Sequence, residues 1–388
     1  MVIDEAPPAA KVWAEAAAAV LAKVGRALPD DRAADPKSVA AALAVSTTDG
    51  VEIPALGSPF LTPNVLPVTI PAGPTWDIRS YVDGRDPAAV ADLVAEELAG
   101  GATSVWLPGG VMVPVGVDPA LVAPSYDPVG RAVRSGGAIN RTGWPETVTG
   151  GSRSVVADGC VAANLGAGDI AELGYVLAAA MHLTRDAEAA GMSTPQALDA
   201  IEFRVTVTGE FFPAIAKMRA LRQCWSRIGE LSGAADNQAR IHAVTARSML
   251  ADLDVPTNLL RTTAAALAAV IGGADAITVL PLDALLAEPR ALGRRLARNI
   301  SHLLAGESLL RRDADPAGGS YALEELTYRT ATAAWAELTR LDGDLGAAIE
   351  DGSLRARWAA DGARRQKSVT DGSRVLVGVN RYPAPVTS

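Results

Sequence analysis

Short strand-like runs punctuate this chain: SVWLP (104–108), SVVAD (154–158), EFRVTVT (202–208), ARIHAVT (239–245), AITVLP (276–281) and RRDAD (311–315). Segments of ten or more residues with helical periodicity separate most of them. Strands held apart by helices cannot pair as tight hairpins, so they line up in parallel through βαβ crossovers. The architecture is therefore α/β. Strand-to-strand spacings of roughly 35 to 50 residues suit either a (β/α) barrel or a doubly wound sheet, and periodicity does not choose between them.

The helical segments are core elements. In 210–229, Phe211, Ile215, Met218, Leu221, Trp225 and Ile228 recur at steps of three and four and line one face. In 168–190 the buried stripe is Ile170, Leu173, Leu177 and Ala180, with Asp169 placed to cap the helix and Glu172 to reach back to it. AAKVWAEAAAAVLAKVGRAL, ahead of the first strand, is an Ala-rich helix suited to packing on the domain or on another chain. By contrast, 109–153 is rich in Gly and Pro and has no helical stripe, so it reads as irregular loop with at most one strand. DADPAGGSY (313–321) reads as a tight turn whose backbone approaches either a ligand or the next helix.

With 49% hydrophobic residues the 388-residue chain can bury a large core, and a net charge of −9 argues against nucleic acid or an anionic membrane as a partner. The most apolar stretch, TAAALAAVIGGADAITVLPLDALLAE, is interrupted by a Gly pair, Asp275, Pro281 and Asp283, so no membrane span is expected. The acidic start MVIDEAPPAA lacks the pattern of a secretory signal, which implies a cytoplasmic protein. Cys160 and Cys224 form no CxxC pair and read as small buried apolar residues of a reducing compartment.

Chemical motifs are few. The three histidines, His182, His242 and His302, make no HExxH or HxH arrangement, so no metal site is expected. His182 and His302 fall on amphipathic helices, whereas His242 is centred in a strand, where its side chain could face a barrel interior and a ligand. No GxGxxG, Walker or GxSxG motif is present, which removes the common nucleotide and hydrolase chemistries. Arg294, Arg295 and Arg298 share one side of a helix whose apolar side is Leu292, Leu296 and Leu303. That basic side either faces solvent or helps to hold an anionic ligand or partner.

Several of these stretches together resemble one family, the adenosylcobalamin-dependent acyl-CoA mutases of the methylmalonyl-CoA mutase type. RRLARNISHLLAGESLLRRDADPAGGSYALEELT is similar to that family's last barrel unit, and GEFFPAIAKMRALRQCWSRI to its F-F-x-x-I-A-K-x-R-A-x-R-x-x-W helix. ADAITVLPLDAL resembles the small subunits of two-chain mutases. TTDGVEIPAL and WDIRSY resemble the N-terminal T-x-D-G and I-R-Q-Y segments, and VLVGVNRY the barrel-closing I-G-V-N-K-Y. The resemblance spans about 40–108 and 155–382 and implies a (β/α)8 TIM-type barrel. In such a barrel acyl-CoA threads the axis, and a separate domain holds cobalamin through a His in DxHxxG.

This sequence departs from that pattern in three ways. It contains no DxHxxG, so no cobalamin-binding domain is expected. DGCVAANLGAGD carries Ala162 and Ala163 where the resemblance places a catalytic Tyr–His pair. Between Leu107 and Ser154 there is too little chain for two full units of about 30 residues each, so fewer than eight regular strands are expected. The resemblance thus implies a small, non-catalytic subunit of a heterodimeric mutase, with adenosylcobalamin and the isomerisation of methylmalonyl-CoA and succinyl-CoA belonging to a large-subunit partner. The alternative is a barrel-only catalytic chain that borrows a cobalamin-binding polypeptide, in which Tyr81, Arg240 and His242 would line the substrate channel. The expected organisation is a helical arm over 1–40, a barrel over 41–345 and a barrel-closing tail over 346–388.

Overall fold

The computed structural model describes residues 8–383 except 34, 54, 59–67, 69, 71–75, 85, 109–112, 141–154, 287–289 and 311–313. A two-residue hairpin, β1 (Val45–Ser46) and β2 (Glu52–Ile53), precedes the main sheet. The main sheet comprises β3 (Asp77–Tyr81), β4 (Ser104–Trp106), β5 (Val155–Asp158), β6 (Ile201–Val207), β7 (Arg240–Thr245) and β8 (Ala276–Thr278), all parallel, in the order β4-β3-β8-β7-β6-β5. Its first and last strands, β3 and β8, pair with each other. The sheet therefore curls as a barrel does, which settles the choice that periodicity left open.

Among the described residues, one irregular segment reaches across the gap between the edge strands β4 and β5. Val122 bridges Val105 of β4 and Tyr126 bridges Val155 of β5, with Ala123 N donating to Val105 O (2.8 Å) and Val156 N to Tyr126 O (2.9 Å). Among the described residues a single strap thus stands where a regular eight-stranded barrel has two strands. Six regular strands among the described residues is the incomplete barrel that the shortage of chain implied. RRDAD adds none: 311–313 lie outside the described residues, and Ala314 and Asp315 are irregular. Within 109–153 the reading as loop needs correction. Pro128–Ser135 is a helix, started by Asp127 Oδ1 accepting from Gly130 N (2.7 Å) and ended by Gly136 in the left-handed region. Its buried stripe of Val129, Ala132 and Val133 is too short for periodicity to register.

The helix Phe211–Leu231 buries Ile215, Met218, Leu221, Trp225 and Ile228 as its spacing predicts, with Trp225 edge-on to Phe203 of β6. It also buries three cations that the apolar pattern assigns to solvent. Lys217 Nζ donates to Asp169 Oδ1 (2.7 Å) and Glu172 Oε2 (2.8 Å). Arg219 Nη1 donates to Asp315 Oδ1 (2.6 Å) and its Nη2 to Glu324 Oε1 (2.5 Å). Arg222 Nη2 donates to Gly273 O (2.5 Å) and Asp275 Oδ2 (2.7 Å). Each cation fastens a different segment, because a buried charge is stable only when paired. The turn over 314–321 is consequently held by a helix: Asp315 within it and Glu324 just beyond it both accept hydrogen bonds from Arg219.

Two other local expectations change. Asp169 is the first residue of the helix Asp169–Ala189 and does not cap it. The cap comes from Asp49, in the turn between β1 and β2, whose Oδ2 accepts from Asp169 N (2.5 Å) and Ile170 N (3.4 Å). Glu172 instead accepts from Thr206 N and Oγ1, each at 2.5 Å. On the helix Ala291–Gly306 the buried face is Gly293, Ala297, Arg298, Ile300, Ser301 and Leu304, whereas Leu292 and Leu303 are exposed. Small residues let this helix approach closely, and Arg298 pairs with the buried Glu97 of the helix Pro87–Ala99.

The helix Ser353–Thr370 crosses the loop after the helix Gly159–Asn164, where Arg365 Nη2 donates to Gly166 O (2.5 Å) and Ala167 O (3.1 Å). Gly166 has φ of +100°, and a Cβ there would lie 2.5 Å from Trp358 O. Gly166→Ala is expected to cost about 1–3 kcal/mol from backbone strain alone, measurable as a lower urea midpoint. An unchanged midpoint would refute this crossing. Beyond that helix, 374–382 folds as a turn with one bridge, Val377 to Arg381, and joins no strand of the barrel sheet.

Candidate functional site

Alternate residues of a barrel strand point inward. In most such barrels those positions hold branched apolar side chains, whereas here they carry charge. Arg79 Nη1 donates to Glu202 Oε1 (2.7 Å), its Nη2 to Asp77 Oδ2 (2.8 Å) and its Nε to Ser104 Oγ (3.1 Å). Arg204 Nη1 donates to Asp158 Oδ2 (3.1 Å), its Nη2 to Pro124 O of the strap (2.7 Å) and its Nε to His242 Nδ1 (3.1 Å). Because Nδ1 accepts, Nε2 carries the proton of His242 and donates to Thr278 Oγ1 (2.7 Å). Trp106 closes the layer, with the Arg204 guanidinium 4.3 Å over its ring.

Arg79, Glu202, Arg204 and His242 are 6%, 1%, 2% and 0% exposed, so together they plug the barrel axis. Burial, helped by Arg79 and Arg204, pushes His242 well below its ordinary pKa, and the imidazole is neutral. Burial works against the charge on Arg79, but Glu202 and Asp77 outweigh it and the guanidinium stays charged. The axis is thus filled by a satisfied network.

Above the plug, at the carboxyl ends of the strands, a cavity of about 410 Å³ opens. Its floor and walls include Tyr81, Trp106, Asp158, Thr206, Val244 and Leu280 from the strand ends, with Asp127, Cys160, Arg247 and Arg355 from the connections. Tyr81 and Trp106 pack at 4.8 Å between ring centroids. The Tyr81 hydroxyl donates to Asp83 Oδ2 (3.0 Å), and burial first, then Asp83, raises its pKa. Asp158 caps the helix Gly159–Asn164 through Cys160 N while holding Arg204. Burial and the nearby Asp158 push the Cys160 thiol far up, so it is no nucleophile.

Asp127 is buried in the cavity wall, and burial, then Asp158, pushes its carboxyl up to about 7. An acid whose pKa is higher in the folded than in the unfolded state binds more protons when folded. Stability from this group therefore falls as pH rises from about 4 to about 7 and levels off above. Asp127→Asn keeps the cap acceptor, so its stability relative to the parent chain should rise over that interval, as followed by urea unfolding. A pH-independent difference would contradict this assignment.

The residues singled out from sequence separate in space. Tyr81 lines the cavity, and His242 lies beneath its floor in the plug. Arg240 opens β7 at the opposite end of the barrel and is exposed. Ala162 is fully buried in the core and Ala163 is partly covered. The side of their helix that faces the cavity is Cys160, Val161, Asn164 and Leu165. Sequence reasoning passed over Arg204 and Asp158. A charged residue at the centre of an otherwise apolar strand, as Arg204 is in EFRVTVT, was the available signal.

A curled parallel sheet with a ligand-sized cavity at its carboxyl face defines an incomplete α/β barrel of the TIM type. The chain belongs to the methylmalonyl-CoA mutase family, whose model matches residues 138–387. It is 34% identical to a methylmalonyl-CoA mutase small subunit of Streptomyces virginiae, over 84% of this chain and 61% of that protein. With the small subunit of Propionibacterium freudenreichii subsp. shermanii the identity is 37%, over 60% of this chain and 37% of the relative. The human mitochondrial methylmalonyl-CoA mutase is 33% identical over 56% of this chain and 30% of its own length. The chain thus spans less than two thirds of the length of each of these relatives.

Proposed function

We propose that this chain is the small, non-catalytic subunit of a heterodimeric methylmalonyl-CoA mutase-like enzyme of the cytoplasm, and that its large-subunit partner isomerises methylmalonyl-CoA and succinyl-CoA. The observation that carries this reading is the plug. The route that the family resemblance assigns to acyl-CoA is occupied here by Arg79, Glu202, Arg204 and His242. Clearing it would break buried ion pairs, at several kcal/mol each. The relatives printed as small subunits support the same reading.

Adenosylcobalamin belongs, in this reading, to the assembled enzyme. It fits the residues of this chain poorly, since none of the three histidines faces the cavity. His242 has both ring nitrogens engaged, and His182 and His302 stand on the helices Asp169–Ala189 and Ala291–Gly306 around the barrel. No metal-binding cluster of His, Cys, Asp and Glu is present among the described residues, and no described helix is long and apolar enough to cross a membrane. The proposed organisation is a helical arm over 1–40, the barrel over 41–345 and a tail over 346–388, with the arm's helix Pro8–Lys23 available for association. Co-expression of the tagged chain with the full-length mutase chain of the same host tests the reading. A one-to-one complex by light scattering is expected, and two species that separate completely would contradict it.

A further inference from the structure

The plug removes the barrel axis from use, yet the cavity above it remains open and is equipped for a ligand. Its volume of about 410 Å³ falls in the usual range for small-molecule sites. Two of its guanidinium groups, on Arg247 and Arg355, make no hydrogen bond or ion pair with described residues, whereas Arg204 in the same wall has all its polar atoms engaged. Asp127 Oδ2 is buried and makes no hydrogen bond, with Arg134 Nη2 3.7 Å away. The apolar lining is Trp106, Val161, Leu165, Val244 and Leu280. The chain as a whole carries a net charge of −9, so a cavity with four lining arginines, two of them without a partner among the described residues, is a local reversal of the protein's field.

We infer that this cavity binds a small organic anion, with a carboxylate or phosphate drawn by Arg247 and Arg355 and an apolar body seated against Trp106, Val244 and Leu280. Guanidinium forks match both head groups in bidentate fashion. Asp127 adds direction: its carboxyl is pushed up to about 7, so its protonated form can donate to an acceptor in the cavity. Tyr81 cannot serve that purpose, because its hydroxyl already donates to Asp83. Nothing in this inference depends on association with a large subunit. It is tested on the chain by itself, so its failure and the failure of the subunit reading are separate results.

The experiment is isothermal titration of the full chain with benzoate, phenyl phosphate and the neutral analogue benzamide, repeated on Arg247→Ala, Arg355→Ala and the double variant. Circular dichroism and thermal unfolding of each variant check that the fold persists, which is expected because neither side chain has a hydrogen-bond or ion-pair partner to lose among the described residues. Saturable one-site binding of benzoate or phenyl phosphate is expected, and the tighter of the two arms identifies the head group. Benzamide should bind at least tenfold more weakly, and each single variant should lose at least tenfold in affinity for the anion. Absence of saturable heat with both anions, equal binding of benzamide, or unchanged binding by a folded double variant would overturn the inference.

Discussion

Lys217→Met is expected to lower the unfolding free energy by about 3–5 kcal/mol, a large fraction of the 5–15 kcal/mol typical of a folded domain. The ammonium is 1% exposed and donates to Asp169 and Glu172, and Glu172 is itself 1% exposed. Burial opposes the charge on Lys217, but the two carboxylates outweigh it; burial also raises the pKa of Glu172, against the pull of Lys217. Removing the cation strands Glu172 between the central helix and β6. Its folded pKa then rises further above the unfolded value, so the variant loses stability as pH increases and the gap to the parent chain widens from pH 5.5 to pH 8. Adding Glu172→Gln should recover more than half of the loss, because no buried charge is then left unpaired. Urea unfolding of the two variants at both pH values decides this; a gap that does not change with pH would show that the cluster is held by packing and not by charge.

Arg204→Met should cost a comparable 3–5 kcal/mol and should also have a local signature. The guanidinium joins the plug to the strap through Pro124 O, to β5 through Asp158 and to β7 through His242. Methionine fills much of the volume but satisfies none of these groups. The loss of Pro124 from its partner frees the strap, so amide exchange at Ala123 and Val156, whose N–H groups tie the strap between β4 and β5, should accelerate well beyond the global change. Exchange at Val205 and Ala243, inside the continuous β6–β7 ladder, should follow only the global loss. Uniform acceleration across all four sites would argue that the strap is not held by Arg204.

Much of this architecture is legible in the sequence because β-like runs and apolar helical stripes are one-dimensional patterns. The five runs from SVWLP to AITVLP each contain an observed strand, and the stripe through Ile215, Met218 and Trp225 is the buried face of its helix. What escaped notice is polar and long-range. Arg219 meets Asp315 across 96 residues and Asp49 caps a helix 120 residues away, so a periodicity that scores charge as solvent-facing misses both. The same limit misread the helix Ala291–Gly306, where Gly293, Ala297 and Ser301 pack and Leu292 and Leu303 do not. Of the channel candidates Tyr81, Arg240 and His242, Tyr81 alone lines the cavity, which is otherwise shaped by Arg204, Asp158, Asp127, Arg247 and Arg355 from five separate elements or connections. A Tyr–His pair serving this cavity would have to stand at Cys160 and Val161, since Ala162 faces the core.

The central claim is that a barrel with a plugged axis supports a mutase without performing its chemistry. The most direct measurement is the isomerisation of methylmalonyl-CoA to succinyl-CoA in the presence of adenosylcobalamin, assayed with this chain alone, with the cognate large subunit alone and with the two combined. The account predicts no turnover by this chain, with or without tyrosine and histidine introduced at Ala162 and Ala163, and full turnover only by the combination. Turnover by this chain alone would contradict it.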